Sequence, residues 1–255
     1  MDLQIAGRTA LVMGASSGLG EAIALALAAE GVKLALAARR IDRLEQVAAR
    51  ARELGAPEAQ SFALDLLDPE GPAAMLASLG RACGHADIVV LNGGGPRPGR
   101  VGQLALADWD GAYRLLLRGM VEILDAVIPP MRAKGWGRIV ALTSTAVKQP
   151  IDTLALSDAF RTALVATLRT LANDVAADGV TVNSIATGRI ETARLRSLYG
   201  DESKLRAAGS EVPIGRIATP AEFAPMVAFL CSEPARYVTG QTISVDGGLT
   251  RGLFG

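Results

Sequence analysis

A glycine-rich run near the start of the chain has the residue types that bind phosphate groups. It reads GASSGLG and contains Gly14, Ser16, Ser17, Gly18, Leu19 and Gly20. Gly14 permits a tight turn, Gly18 lets the backbone approach a pyrophosphate, and Gly20 allows a helix to pack closely on a strand. Where a strand precedes such a run and a helix follows it, the free N–H groups at the helix N-terminus bind the phosphates. The run therefore predicts a dinucleotide-binding loop.

Two adjacent arginines follow the second apolar segment, where dinucleotide-binding folds distinguish two cofactors. An Asp or Glu at this place binds the 2′-hydroxyl of the adenosine ribose and repels a 2′-phosphate. This chain has Ala37, Ala38, Arg39 and Arg40 instead. Guanidinium groups present paired donors that match phosphate oxygens. The pair favours NADP(H) over NAD(H), although a solvated start of a helix would also explain both arginines.

The elements that must position these residues alternate along the chain, in the pattern of β-α-β units and a parallel sheet. Strands are predicted at Thr9–Met13, Lys33–Ala38, Gln60–Leu64, Ile88–Leu91, Arg138–Thr143, Thr181–Ile185 and Thr242–Val245. Helices are predicted at Gly18–Glu30, Arg40–Leu54, Pro69–Ala82, Ala107–Lys134, Ser157–Ala177 and Pro220–Cys231. Several strands are continuous apolar runs, as expected where helices cover both faces of a sheet. The expected fold is α/β, a Rossmann-type doubly wound parallel sheet of seven strands.

The chain has no repeat, low-complexity tract or interdomain linker. We therefore expect residues 1–255 to form a single Rossmann-fold dinucleotide-binding domain. Residues from about 187 to 219 are polar and mixed in character, and they predict an excursion that covers a substrate.

Composition argues against several classes of protein. The 26 acidic and 26 basic residues balance, so the chain has no field that would attract nucleic acid. The single histidine, His85, excludes a multi-histidine metal site and is poorly placed for a Ser-His-Asp apparatus. Cys83 and Cys231 match no metal or redox spacing, and we interpret them as reduced thiols. No bound metal is expected.

Apolar runs in this chain are shorter than the ~20 residues that cross a bilayer. The N-terminus has no basic segment ahead of an apolar stretch, so a signal peptide is not predicted. We expect a cytoplasmic protein that acts on a small molecule and binds neither nucleic acid nor membrane.

Further motifs resemble the short-chain dehydrogenase/reductase family over nearly the whole chain. GASSGLG is similar to the family's glycine motif, with Met13 where threonine is usual, and Thr239–Gly248 is similar to its last strand. The resemblance implies further dinucleotide-binding positions, which are Asp65, Leu66, Asn92, Gly93, Gly94, Gly188, Ile190 and Thr192. It also implies assembly into a homotetramer or a homodimer.

The positions that carry the family's chemistry are altered. The family uses a Ser, a Tyr thirteen residues later and a Lys four residues after that, together with an Asn on an earlier helix. Here Ser144 matches the Ser, but Ser157, Arg161 and Leu116 stand at the Tyr, Lys and Asn positions. A tyrosine hydroxyl, with a pKa of about 10, can donate a proton when a neighbouring cation lowers that pKa. A serine hydroxyl is a far weaker acid, and arginine cannot relay a proton.

Loss of a general acid costs on the order of 10² to 10⁴ in rate, which argues against ordinary ketone reduction. We therefore hypothesise a rearranged site of Ser144, Ser157, Arg161 and Lys148, although Lys148 is equally explained as a solvated loop residue. Ser157 and Arg161 are four residues apart and share one helix face. Dienoyl-CoA reductases, a branch of the family, also carry Ser for Tyr with a basic residue four positions later. There, hydride adds to a conjugated thioester, and the enolate needs hydrogen bonds and positive charge.

The sequence thus favours an NADP(H)-dependent oxidoreductase that acts on a carbonyl or a conjugated acyl thioester. A catalytically inactive dinucleotide-binding sensor or subunit is the first alternative, and a non-redox enzyme on the same fold is the second. Tyr113 and Tyr199 are the other tyrosines that could donate a proton, from the earlier helix and from the excursion.

Overall fold

Apolar segments form a parallel sheet of seven strands in the computed structural model, which describes residues 1–253. The strands are β1 (Thr9–Met13), β2 (Lys33–Ala38), β3 (Ala59–Ala63), β4 (Ile88–Leu91), β5 (Gly137–Leu142), β6 (Val180–Thr187) and β7 (Thr242–Val245). Their order in space is β3-β2-β1-β4-β5-β6-β7, and all neighbours are parallel. The order reverses between β1 and β4, and ligands bind outside the carboxyl ends of strands at such a switch point.

Helices cover both faces of the sheet. They are α1 (Gly18–Ala29), α2 (Ile41–Glu53), α3 (Gly71–Cys83), α4 (Leu106–Tyr113), α5 (Gly119–Lys134), α6 (Ala155–Val175), α7 (Ala193–Tyr199), α8 (Glu202–Ser210) and α9 (Pro220–Leu230). Successive residues of a strand point to opposite faces. In β1, Val12 therefore joins the core beneath α1 and α9, whereas Leu11 joins the core beneath α5 and α6. The predicted doubly wound sheet is confirmed.

Two segments differ from the sequence expectation. The helix predicted at Ala107–Lys134 is divided into α4 and α5 by a π-helical turn at Arg114–Arg118. The segment 187–219, in which no helix was predicted, contains α7 and α8. Their N-termini are capped by Thr192, whose Oγ1 accepts from Leu195 N at 3.2 Å, and by Asp201, whose Oδ1 accepts from Lys204 N at 2.9 Å. Such caps satisfy backbone donors that the first turn of a helix leaves free.

Among the described residues, the helices include none with the length and apolar character that a membrane crossing requires.

Candidate active site

The carboxyl ends of β1 to β6 open into one cleft of about 770 Å³. Its wall contains every dinucleotide-binding residue expected from the sequence except Gly20, which lies beneath the glycine loop. It also contains Ser144, Ser157 and Arg161. The cleft therefore brings the expected cofactor positions and most of the expected catalytic positions together at the switch point of the sheet.

The glycine loop has a backbone that other residues would strain. Gly14 and Gly18 have φ angles of +63° and +62°, in the left-handed region that glycine tolerates best. A Cβ on Gly14 would lie 2.7 Å from Nδ2 of Asn92, and a Cβ on Gly20 would lie 2.3 Å from the Gly14 carbonyl oxygen. A Cβ on Gly18 would lie 3.3 Å from Cγ2 of Thr192, so the segment after β6 approaches this loop closely.

Arg40 lies directly over the glycine loop. Its Nη2 donates to Ser17 Oγ at 2.8 Å and to Ser16 Oγ at 3.1 Å. Within residues 1–253, neither Arg39 nor Arg40 forms an ion pair with a carboxylate. On the facing side, Asp65 closes a turn by accepting from Leu67 N at 3.0 Å. This end of the cleft presents two guanidinium groups and two serine hydroxyls, which match the oxygens of a phosphate.

Two hydroxyls and one guanidinium occupy the other end of the cleft. Ser157 is buried on the first turn of α6, and its Oγ accepts from Arg161 Nε at 3.2 Å. Ser144 follows β5, and its Oγ accepts from Ala146 N at 3.2 Å. Each hydroxyl carries one proton. Because both oxygens act as acceptors in these contacts, both protons remain available for donation to a ligand.

Arg161 ties three elements together. Besides Ser157, its Nη1 donates to Leu142 O at the end of β5 at 2.7 Å, and its Nη2 donates to Gly94 O after β4 at 2.5 Å. Burial, and to a smaller extent the nearby positive charge of Arg194, together lower the pKa of Arg161 to about 10. Arg161 is thus a cation at neutral pH, in a site that disfavours charge.

Comparison with known proteins agrees with this geometry. The family model described as enoyl-(acyl carrier protein) reductase matches residues 14–250. Nodulation protein G of Rhizobium sp. (strain N33) is 33% identical over 246 residues, which cover 96% of this chain and 98% of that protein. The 3-oxoacyl-(acyl-carrier-protein) reductase FabG of Escherichia coli (strain K12) is 34% identical over 245 residues, covering 95% of this chain and 97% of that protein.

A solved structure extends the match to three dimensions. L-sorbose reductase from Gluconobacter frateurii, complexed with NADPH and L-sorbose, superposes with a TM-score of 0.94 at 34% identity, over 99% of this chain and 100% of that chain. This chain belongs to the short-chain dehydrogenase/reductase family. It is therefore an NAD(P)-dependent oxidoreductase by family, as the resemblance implied.

In this family member, three other residues that the sequence suggested for catalysis lie outside the cleft wall. Lys148 ends a short 3-10 turn at Thr145–Val147 and, in the described part of the chain, does not contribute to the cleft wall. Tyr113 is exposed and its ring lies 6.0 Å from that of Phe160. The Tyr199 ring lies 5.9 Å from Arg189 Cζ. Within residues 1–253, none of these three side chains is part of the cleft wall.

The π-helical turn places Leu116 in the core, 1% exposed, while Leu115 lines the cleft. The carbonyl oxygen of Leu115 lies 2.8 Å from the position that a Cβ on Gly93 would take. An irregular turn of this kind is frequent at functional sites. Leu115 thus makes the wall apolar here, and Leu116, at the position of the family's Asn, is buried in the core instead of lining the cleft.

Sequence reasoning missed Arg194, which lies on the first turn of α7 and lines the cleft. Its Nη2 donates to Pro96 O at 2.5 Å, across 98 residues of sequence. The first turn of a helix favours acidic side chains over basic ones. A basic residue two positions after the Thr192 cap was the signal that could have drawn attention to it.

Proposed function

We propose that this chain is an NADP(H)-dependent oxidoreductase with a non-standard active site, acting on a carbonyl or a conjugated acyl thioester. The observation that carries the proposal is the contact between Ser157 Oγ and the half-buried Arg161 guanidinium, inside the cleft that begins at the glycine loop. A nicotinamide bound in this cleft would supply or accept hydride.

The cleft fits a phosphorylated dinucleotide. Side chains are absent at Gly14 and Gly18, where a pyrophosphate must approach the backbone. Donors for a 2′-phosphate are present at Arg39, Arg40 and the two serines beneath Arg40. The Asp or Glu that would repel this phosphate is absent from the end of the second strand. L-sorbose reductase, which is similar over the whole chain, was solved in complex with NADPH. These observations favour NADP(H) over NAD(H).

The residues of the site stabilise negative charge on a substrate oxygen. Ser144 and Ser157 would donate hydrogen bonds to it, and the positive charge of Arg161 lies beside Ser157. Donors fixed in advance, where a charge develops, are among the strongest contributions to catalysis. Neither serine nor arginine releases a proton readily near neutral pH, so water must complete the protonation. A conjugated acyl thioester suits such a site better than an isolated ketone, because its enolate spreads the charge.

The test is NADPH oxidation, followed by absorbance, with ketones, 3-oxoacyl thioesters and conjugated enoyl thioesters. We expect Ser157→Ala to lower kcat/KM by about 10² to 10³-fold, as the loss of one oxyanion donor does. The Kd for NADPH should not change. Ser210→Ala, outside the cleft wall, is the control and should keep full activity. Turnover that is unaffected by Ser157→Ala would contradict the proposed role.

A catalytically inactive dinucleotide-binding sensor or subunit is the second candidate function. It is favoured by the bonds of Arg161 to Leu142 O and Gly94 O, which suffice to explain the residue as a structural tie. Firm NADPH binding without turnover on the whole panel would select this candidate.

We further propose that the protein is a cytoplasmic homotetramer or homodimer, on the basis of the family resemblance. Tyr237, which precedes β7 at the edge of the sheet, is fully exposed in the single chain, as an interface residue would be. Sedimentation equilibrium of the 26.4 kDa chain measures its oligomeric state directly.

A further inference from the structure

Two guanidinium groups lie against three consecutive residues of the loop that follows β4. Arg161 donates to the carbonyl oxygen of Gly94, and Arg194 donates to that of Pro96. Between them, a Cβ on Gly95 would lie 2.7 Å from Arg194 Nε, so the glycine leaves room for this side chain. The pair therefore concentrates positive charge at one place in the wall of the cleft, next to Ser157.

Neither guanidinium has a carboxylate partner within residues 1–253, which sets the pair apart from other arginines on the surrounding loops. Those arginines form ion pairs, which are Arg97 with Asp108, Arg100 with Asp152, Arg189 with Glu211, and Arg196 with Glu191. These four arginines around this end of the cleft are therefore paired, whereas Arg161 and Arg194, which line it, have no counterion among residues 1–253.

The acidic side chains of the cleft do not supply the missing charge. Among residues 1–253, two acidic side chains belong to the wall, those of Asp65 and Glu191. Asp65 lies at the opposite end and is held by Leu67 N. Glu191 is bound to Arg196, which also binds Glu202 at 2.5 Å. Burial lowers the pKa of Arg161 and of Arg194, which shows that the surroundings disfavour charge at both residues.

Charges removed from water are normally paired, and a guanidinium presents a planar fork of donors that matches a carboxylate or a phosphate. Of its five N–H groups, Arg194 uses one in the contact with Pro96 O. The remaining donors lie on a side chain that lines the cleft. Arg194 thus has both the charge and the free donors for a ligand.

We propose that the substrate carries an anionic group, a carboxylate or a phosphate, that binds Arg194, with Arg161 adding a second positive charge. The proposal rests on the proposed function and names the class of its substrate. Arg194 determines specificity, because it holds the anion while the carbonyl or enoyl group lies at Ser144 and Ser157. A neutral analogue would leave both guanidinium groups without a counterion.

The test compares probes that carry an anionic group with neutral partners of the same carbon skeleton, by calorimetric titration into the NADP⁺-saturated protein. One pair is 4-oxopentanoate and its methyl ester, and the other is dihydroxyacetone phosphate and dihydroxyacetone. We expect one anionic probe to bind about 10 to 100-fold more tightly than its neutral partner, as charge-assisted hydrogen bonds imply. The pair that shows the preference distinguishes a carboxylate from a phosphate.

Arg194→Gln should abolish this preference and leave the Kd for NADP⁺ unchanged. Arg206→Gln, which removes the same charge from α8 outside the cleft wall, should retain the preference. Equal binding of both partners in each pair, or a preference that survives Arg194→Gln, would overturn the proposal. The titrations measure binding and do not depend on turnover. They are repeated without nucleotide, so that the result does not depend on cofactor binding either. Failure of the proposed function appears separately, as absent NADPH binding or absent oxidation of NADPH.

Discussion

Arg40 illustrates how one side chain can decide the choice of cofactor. Its guanidinium lies on the Oγ atoms of Ser16 and Ser17, so it borders the loop that would hold the phosphates. A 2′-phosphate bound there would add charge-assisted hydrogen bonds, whereas a 2′-hydroxyl would gain little. The proposed discrimination between NADPH and NADH would therefore depend on a residue that is held in place before the ligand arrives.

We expect Arg40→Ala to weaken NADPH binding by about 10 to 100-fold, the effect of losing hydrogen bonds to a charged group. NADH binding should change little, because NADH has no 2′-phosphate. Both dissociation constants are measured by the fluorescence of the bound nucleotide. Arg43→Ala on the same helix, exposed and outside the cleft wall, is the control. Equal losses for both nucleotides would contradict a role in discrimination.

At the scale of elements, α9 begins with a complete capping box. Thr219 Oγ1 accepts from Glu222 N at 3.3 Å, and Glu222 Oε2 accepts from Thr219 N at 2.8 Å. Hydrogen bonds from Arg216, and then those from Thr219, lower the pKa of Glu222 to about 2. Because the pKa of Glu222 in the folded state is below its ordinary value, this carboxylate stabilises the fold at every pH above that ordinary pKa. Its contribution is lost as the pH falls through about 2.

Thr219→Ala should lower the free energy of unfolding by about 1 kcal/mol, the usual cost of an N-cap. For a chain of this length, that loss corresponds to a decrease in Tm of about 2 to 4 °C. Thr219→Ser keeps the hydroxyl and should retain most of the stability. Calorimetry of both variants makes the comparison, and an alanine variant as stable as the serine variant would show that the cap contributes nothing.

The elements also show which parts of the structure could be predicted from the sequence. The bounds of β1, β2, β4 and β7 agree with the prediction. In β1, β2 and β4 the reason is that runs of apolar residues between turns mark strands covered on both faces. The π-helical turn was missed because the apolar pattern continues across Arg114–Arg118. In the segment 187–219, α7 and α8 were missed because they are short and mostly polar.

The site was predictable where one motif contains all of its members, as in the glycine loop. Contacts between distant segments were not predictable. Arg161 meets Gly94 O across 67 residues of sequence, and Arg194 meets Pro96 O across 98. No local pattern encodes such pairs, because folding of the whole sheet creates them. For the same reason, the position of Lys148 outside the cleft wall could not be inferred from its distance to Ser144 along the chain.

At the scale of the whole molecule, Cys231 can report global unfolding. It ends α9 inside the core, with none of its surface exposed, and burial raises the pKa of its thiol to about 12. Cys83 is half-buried at the end of α3. Thiolates are the reactive form of cysteine, so a buried thiol with a raised pKa reacts only after it is exposed.

We expect iodoacetamide to label Cys83 in the native protein and Cys231 only across the urea unfolding transition. Mass spectrometry of the proteolytic peptides measures both rates, and circular dichroism gives the transition on the same samples. Labelling of Cys231 at low urea, at the rate found for Cys83, would reveal local opening of the core around α9.

The tie formed by Arg161 also bears on how this chain could change over evolutionary time. One planar group bonds to Ser157 and to two carbonyl oxygens at the ends of adjacent strands. A lysine offers its donors from a single nitrogen and cannot reproduce that fork. A change of Arg161 to lysine would therefore leave one of these carbonyl oxygens without its donor. We therefore expect that Ser157 and Arg161 cannot be exchanged for tyrosine and lysine one residue at a time without a cost.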